Sequence, residues 1–309
     1  MKTLIMVSSA KVFSFFFIIS TLLFSCELPL EWYTEPDESP VTVNTDINYP
    51  ELPFTNSRIP GNYPAGSPVA IHGNLKVIGT QLCDERGFPV QLRGLYMDHI
   101  KDSSQFLNND SIKYLSRKYK MDVFRIPLWT IGWSFGKNSE PGYIHHPEVE
   151  KYIHEAVRYT ENSGIYCIVS WHIMYDGDPN TYIKEAFDFF KRMAFLYGAK
   201  KHVIYEIFNE PNQVKWGSKI KPYAQYIIPA IRAGSSNSVI IVGTEFNSFD
   251  LHHAAASPLK YDNILYTIHY YPGLFPLSVT NRVKDALSHI AVFCTEWGVT
   301  DLILCSIRI

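Results

Sequence analysis

The feature that most constrains this fold is an alternation of short apolar runs with amphipathic helical segments. The runs predict strands at 90–95, 121–127, 166–170, 203–208, 239–242, 264–269 and 291–295. The segments between them predict helices at 111–119, 147–162, 181–197, 221–233 and 280–288, the first of them capped by Asp110. Residues 75–82 and 90–95 flank the turn 84–87, which predicts an opening hairpin. The strands are continuously apolar rather than alternating, which is typical of a parallel sheet covered on both faces.

Seven strands with helices between them predict a parallel α/β fold, and the number of strands favours a (β/α)8 TIM barrel over an open sheet. A dinucleotide-binding sheet is disfavoured because no glycine-rich phosphate-binding turn follows the first strand. After the seventh strand only residues 298–309 remain, too few for an eighth strand and its helices. We therefore expect an incomplete barrel, truncated after the seventh strand, with low stability and weak or no activity.

The first 26 residues predict an export signal. Lys2 and Lys11 precede an apolar run of 13 residues, 12–24, which is shorter than the ~20 needed to span a bilayer. Leu23-Phe24-Ser25-Cys26 is similar to a bacterial lipobox, so free secretion and a lipid anchor at Cys26 in the outer membrane or cell surface both stay open. Residues 27–68, rich in Pro, Thr, Asn and Ser, predict a flexible linker, and residues 69–309 a folded domain.

Charge and cysteine usage limit the expected partners. The chain has 28 basic and 30 acidic residues, so no strong field favours nucleic acid. The cysteines at 83, 167, 294 and 305 lack metal-type spacing, although a disulfide stays open. We expect no metal, no cofactor and no nucleic-acid partner, and a monomeric chain.

Two glutamates each follow a buried strand, Glu210 after 203–208 and Glu296 after 291–295. A carboxylate in such a place is costly to bury unless function or a partner compensates. Strand ends are also where a barrel builds its active site. Two facing carboxyl groups with no cofactor are the requirement of glycoside hydrolysis.

Further polar residues also lie at strand ends: Arg125, His172, Asn209 beside Glu210, His269 and Tyr271. A single strand-end histidine is usually structural, but a set in register across five strands is hard to explain as part of the core. Metal ligation is the rival interpretation for the histidines, and no ligand spacing accompanies them. Glu206, inside its strand, is expected to be a structural ion-pair partner.

The ordered motifs resemble those of glycoside hydrolase family 5, with connecting segments similar to the bacterial-type endoglucanases of its subfamily 2. The resemblance covers about 73–300 and rests on Leu92-Arg-Gly94, Val123-Phe-Arg-Ile126, Ser170-Trp-His172, Ile204-Tyr-Glu-Ile-Phe-Asn-Glu-Pro-Asn212, Ile268-His-Tyr-Tyr271 and Thr295-Glu-Trp-Gly298. It implies that 69–309 is a catalytic domain acting on β-glucan.

The resemblance also implies roles for the strand-end residues. Glu210 would be the general acid/base and Glu296 the nucleophile of a retaining reaction. Arg125 and Tyr271 would keep the nucleophile ionised. Asn209 would bind the sugar 2-hydroxyl, while His172 and His269 would orient the carboxyl groups or bind hydroxyls.

Aromatic residues are abundant, and several fall in predicted loops beyond the strands. Trp129, Trp133, Trp216 and Tyr143 are candidate platforms for sugar stacking, and Trp129 and Trp216 are taken as substrate-binding; core packing is the alternative for each.

Two positions depart from the family pattern. Asp98 and His99 stand where a sugar-binding histidine is expected. The segment 245–249 lacks a rim tryptophan, for which Phe246 or Phe249 would have to serve.

The expected function is endo-β-1,4-glucanase activity on cellulose or related β-glucan. The alternatives are the same machinery acting on mannan, xyloglucan or mixed-linkage glucan, and an inactive carbohydrate-binding pseudoenzyme.

Overall fold

The computed structural model describes residues 59–97, 100–135, 138–174, 176–271 and 277–298. The predicted signal with Cys26, most of the predicted linker, Asp98, His99 and the segment after residue 298 lie outside the described residues. In the described part of the chain, every helix is too short or too polar to cross a bilayer.

The strands among the described residues form one large parallel sheet and two small hairpins. In chain order they are β1 (Lys76–Ile78), β2 (Gln81–Cys83), β3 (Gly94–Tyr96), β4 (Val123–Trp129), β5 (Trp133–Phe135), β6 (Asn138–Glu140), β7 (Tyr166–His172), β8 (Val203–Glu206), β9 (Ile240–Val242), β10 (Ile264–Tyr270) and β11 (Val292–Trp297).

The large sheet has seven strands in the order β11-β10-β9-β8-β7-β4-β3, and every pair in it is parallel. Each strand thus lies beside the next one in the sequence, apart from the excursion through the β5–β6 hairpin. This is the (β/α)8 barrel architecture that the sequence predicts, with seven of its strands among the described residues.

Helices connect the strands and cover the outside of the sheet. They are α1 (Pro68–His72), α2 (Ile100–Ser103), α3 (Asn109–Tyr119), α4 (Glu150–Ser163), α5 (Ile183–Tyr197), α6 (Lys221–Gly234), α7 (Glu245–Ser248), α8 (His252–Ala256) and α9 (Leu277–Ala286). The apolar face predicted for α5 is buried in full, from Ala186 to Ala194.

The strands separate two apolar cores. Outward-facing residues such as Phe124, Cys167 and Tyr205 pack against the helices. Inward-facing residues such as Val123 and Ile168 form a smaller core at the amino-terminal end of the barrel, which α1 and the β1–β2 hairpin cover. Because strand side chains alternate, the inward positions further along the same strands carry the polar groups of the opposite end.

Two local predictions need correction. The predicted turn at 84–87 is present, because Cys83 pairs antiparallel with Pro89 and the Val90 amide donates to the Leu82 carbonyl at 2.9 Å, but the predicted strand before it is itself a hairpin, in which β1 pairs with β2 through a turn at Gly79–Thr80. The segment 84–87 is a second turn, held by the Asp84 carboxylate accepting from the Arg86 and Phe88 amides. Helix α3 is capped by Asn108, whose side chain accepts from the Ser111 amide, and not by Asp110, which lies inside the first turn.

Candidate active site

The predicted strand-end residues converge at the carboxyl-terminal end of the barrel. Glu210 and Glu296 are each 7% exposed, and the buried side chains around them are Arg125, His172, Asn209 and His269. Tyr271 is partly buried and reaches the same cluster through its hydroxyl. Five different strands therefore supply one site.

The two glutamates lie close together on either side of His269. One oxygen of each carboxylate and one nitrogen of the imidazole all lie within 4.8 Å of one another. His269 Nδ1 is 2.7 Å from Glu210 Oε1 and 3.6 Å from Glu296 Oε2. Retaining glycosidases place their carboxyl groups about 5–5.5 Å apart, whereas inverting enzymes need a wider gap for water. This spacing is of the retaining kind.

Arg125 connects the nucleophile candidate to the base of the site. Its Nη1 donates to Glu296 Oε1 at 2.7 Å, and its Nε donates to Glu206 Oε2 at 2.7 Å. Burial opposes the charge of Arg125, but the two carboxylates outweigh burial and raise its pKa above the usual value. The guanidinium therefore stays positive beneath Glu296.

Glu206 is fully buried, which confirms its prediction as an ion-pair partner. It faces inward from β8, two residues beyond the apolar Ile204 on the same side of the strand. A charge in this place fixes the guanidinium from below, while Glu296 contacts it from above.

The surroundings of Glu296 favour its ionised form. Burial alone disfavours the charge, but His269, Arg125 and His172 together with the Tyr271 hydrogen bond lower the pKa of Glu296 to about 2. The Tyr271 hydroxyl donates to Glu296 Oε2 at 3.0 Å. Burial and the neighbouring Glu296 charge raise the pKa of Tyr271, so that it remains a donor.

A chain of hydroxyls supports His269 from behind. Its Nε2 lies 3.1 Å from Thr295 Oγ1, which lies 2.5 Å from Thr267 Oγ1. Thr267 faces the same side of β10 as His269, two residues earlier. Neither threonine was predicted as part of the site. For Thr267, the two-residue spacing from His269 along the strand is a usable signal.

Asn209 and His172 form a second cluster beside Arg125. Asn209 Oδ1 accepts from Arg125 Nη2 at 2.6 Å, and its Nδ2 donates to the Ile173 carbonyl at 3.2 Å and lies 3.3 Å from His172 Nε2. Trp129 packs on the His172 ring at a centroid distance of 4.3 Å. Trp129 is the last residue of β4 rather than part of a loop, and its buried ring lies against a site histidine; its contact with a sugar stays a prediction.

Trp216 does not join the site. Its side chain is only 2% exposed, its indole N–H donates to the Ser257 carbonyl at 2.8 Å, and its ring packs on Tyr266. The prediction that Trp216 binds substrate is corrected accordingly, because this burial leaves no ring face for a sugar. Tyr143 also packs internally, against Trp171 and Phe189. The side chain of Trp133 lies outside the described residues.

A cavity of about 560 Å³ lies among the loops that follow β7 and β8. Its walls are largely polar and include Asp176, Asp178, Asn212 and Lys219, with Met174 as an apolar surface. Asn212 follows Glu210 by two residues and Met174 follows His172 by two. The cavity is therefore lined by the loops next to the catalytic candidates and not by Glu210 or Glu296.

A parallel barrel with two close, buried glutamates at the ends of different strands has the architecture of a barrel glycoside hydrolase. Residues 83–303 match the family model described as cellulase, glycosyl hydrolase family 5. The chain belongs to this family.

Relatives of known name agree with this assignment. An endoglucanase of Clostridium saccharobutylicum is 44% identical over 74% of this chain and 50% of its own length. Endoglucanase E-5 of Thermobifida fusca is 36% identical over 84% of this chain and 56% of its own length. The chain thus spans about half the length of the curated relatives it matches.

Solved structures show the same fold. The cellulase Cel5C_n is 37% identical with a TM-score of 0.72, and the match covers 78% of this chain and 76% of that one. The catalytic domain of Thermobifida fusca endoglucanase Cel5A is 35% identical with a TM-score of 0.71, over 77% and 78% of the two chains. A variant of that domain was solved in complex with cellotetraose.

Proposed function

We propose that this protein is an endo-β-1,4-glucanase that hydrolyses internal bonds of cellulose or related β-glucan with retention of configuration. The observation that carries the proposal is the pair Glu210 and Glu296, whose carboxylate oxygens approach within 4.8 Å in a buried site. Relatives named endoglucanases, and the cellotetraose held by a related domain, support β-glucan as the substrate.

In the first step Glu296 attacks the anomeric carbon while the bond to the leaving sugar oxygen breaks. Arg125 contacts Glu296 directly, so the attacking carboxylate is the one that the positive charge keeps ionised. Glu210 donates its proton to the departing oxygen, which leaves a glycosyl-enzyme ester on Glu296.

In the second step the freed Glu210 carboxylate takes a proton from water, and the resulting hydroxide attacks the anomeric carbon. The ester bond breaks and Glu296 leaves as a carboxylate, so the enzyme returns to its starting state. His269 Nδ1 lies 2.7 Å from Glu210 Oε1 and 3.6 Å from Glu296 Oε2, so it can orient both carboxyl groups during the two steps.

The test compares the wild type with Glu296→Ala and Glu210→Ala on soluble cellulose derivatives, mannan, xyloglucan and mixed-linkage glucan. Glu185→Ala, which removes an exposed glutamate on α5, is the matched control. We expect at least a ~1,000-fold loss of turnover in both site variants and none in the control. If a non-cellulosic polymer is turned over fastest, that polymer replaces cellulose as the assigned substrate. Binding without turnover by the wild type would indicate a pseudoenzyme.

We also propose that the protein is exported and is either secreted or lipid-anchored at Cys26. The support is the basic residues and apolar run that precede the lipobox-like segment. Labelling with a radioactive fatty acid separates the two outcomes: label lost in Cys26→Ser indicates the anchor, and an unlabelled protein in the medium indicates free secretion.

A further inference from the structure

The turn that follows β9 has an unusual backbone. Phe246, Asn247 and Ser248 have φ angles of +55°, +55° and +60°, and none of them is glycine. Side chains disfavour this left-handed region, and three such residues in succession persist only where the surroundings hold them. The segment Glu245–Ser248, introduced above as α7, is therefore a turn rather than a regular helix, and we call it the brace turn.

The brace turn is bonded to the backbone on both sides of Glu210. Ser248 Oγ donates to the Asn209 carbonyl at 2.8 Å, and the Asn247 amide donates to the Pro211 carbonyl at 2.9 Å. The Ser248 side chain is completely buried. The backbone on both sides of the acid/base candidate, at the Asn209 and Pro211 carbonyls, is therefore held by one strained turn.

The position of Glu210 along its strand explains why a brace is useful. Strand β8 ends at Glu206. The last described backbone hydrogen bond between this strand segment and β9 runs from the Ile207 amide to the Ile241 carbonyl at 3.0 Å. Glu210 stands three residues beyond that bond. The brace turn supplies the hydrogen bonds that hold this backbone after the hydrogen bonds of the sheet end.

The brace turn is itself anchored at several points. The Ser248 amide donates to the Thr244 carbonyl at 3.1 Å, and Thr244 Oγ1 donates to the Thr267 carbonyl at 3.3 Å. The buried Glu245 carboxylate accepts from the Trp216 amide and contacts His253 Nδ1. The loop that carries the buried Trp216 thus supports the turn that holds the Glu210 segment.

We propose that Ser248 is a positioning residue that fixes the carboxyl group of Glu210 against the leaving-group oxygen. The inference rests on the proposed function, because it assigns Glu210 the proton transfer. A general acid must lie within about 2.6–3.2 Å of the atom it protonates, so small backbone displacements reduce its efficiency. Glu296 is held by Arg125 and Tyr271. Both Arg125 and Ser248 contact Asn209, but Arg125 contacts its side-chain oxygen and Ser248 its main-chain carbonyl.

A defect in acid catalysis depends on the leaving group. A sugar alkoxide must be protonated as it departs, whereas 2,4-dinitrophenolate leaves without a proton. Loss of the Ser248 hydroxyl should therefore slow glycosylation with cello-oligosaccharides and spare it with 2,4-dinitrophenyl β-cellobioside.

The experiment measures kcat/KM of the wild type, Ser248→Ala and Ser248→Gly on both substrates. The glycine variant also removes the hydroxyl but accepts a positive φ without steric cost, so it covers the case in which the alanine variant folds poorly. The control is Ser235→Ala, which deletes another buried serine hydroxyl, one paired with Ser238 and separate from the Glu210 segment.

We expect both Ser248 variants to lose at least ~10-fold on cellotetraose and less than ~2-fold on the activated substrate, with Ser235→Ala unchanged on both. Equal losses on the two substrates, or no loss on either, would overturn the positioning role. Wild-type protein inactive on both substrates would overturn the proposed function as well, which separates the two failures.

Discussion

The buried histidine just before β8 predicts how much the free energy of unfolding changes with pH. His202 is fully buried just before the strand that leads to Glu210. Its Nε2 lies 3.0 Å from the Val157 carbonyl and its Nδ1 lies 3.0 Å from the Tyr63 hydroxyl. Because a carbonyl only accepts, Nε2 carries the proton of the neutral ring and Nδ1 accepts from Tyr63.

Burial is the main reason why the pKa of His202 falls from 6.5 to about 4 in the folded protein. The unfolded chain therefore binds more protons than the folded one between about pH 6.5 and 4. Folding stability falls with decreasing pH across this window. A difference of about 2.5 pKa units corresponds to roughly 3 kcal/mol in full, of which about 2 kcal/mol is lost between pH 7 and pH 5.

The perturbation is His202→Gln, which keeps a polar side chain at this position but removes the titration. Urea unfolding followed by circular dichroism at pH 7 and pH 5 gives the free energy of unfolding of each variant. We expect the wild type to lose about 2 kcal/mol more than the variant over this range. Equal losses of unfolding free energy in the two proteins would show that His202 does not cause the pH dependence, because the effect would then come from other groups.

Two further substitutions test the support of the nucleophile. Tyr271→Phe removes the bond to Glu296 Oε2; we expect kcat/KM to fall by at least ~10-fold with unchanged thermal stability, and an unaltered kcat/KM would contradict the role of the hydroxyl. Glu206→Gln leaves the buried Arg125 with one carboxylate fewer; we expect a loss of about 3 kcal/mol in urea unfolding, against none for Glu185→Gln, and an equally stable variant would show that the ion pair is dispensable.

Much of the fold followed from local patterns. The strands from β4 to β11 in the large sheet were predicted to within a few residues, because continuous apolar runs are typical of buried parallel strands. The turn at 84–87 was predicted because Asp84 and Gly87 are typical turn residues, and the Asp84 side chain forms hydrogen bonds of that turn. The further reversal at Gly79–Thr80 was not predicted, because the segment 75–82 was taken as one strand.

The site residues that lie at strand ends could be predicted from the sequence. Arg125, His172, Glu210 and Glu296 each project from the same end of the barrel, so strand position alone brought them together. Trp216 was placed wrongly because nothing local shows that Ser257 provides the acceptor for its indole. The brace turn was not predicted because positive φ angles are usually marked by glycine, which is absent from residues 246–248.

Trapping the glycosyl-enzyme and locating the residue that carries it tests the proposed roles of Glu210 and Glu296 most directly. The protein is incubated with 2,4-dinitrophenyl 2-deoxy-2-fluoro-β-cellobioside, and the labelled peptide is located by protease digestion and mass spectrometry. These roles predict one fluorosugar per chain, attached to Glu296, with no label in Glu296→Ala. A label on Glu210, or hydrolysis with inversion and no covalent adduct, would contradict them.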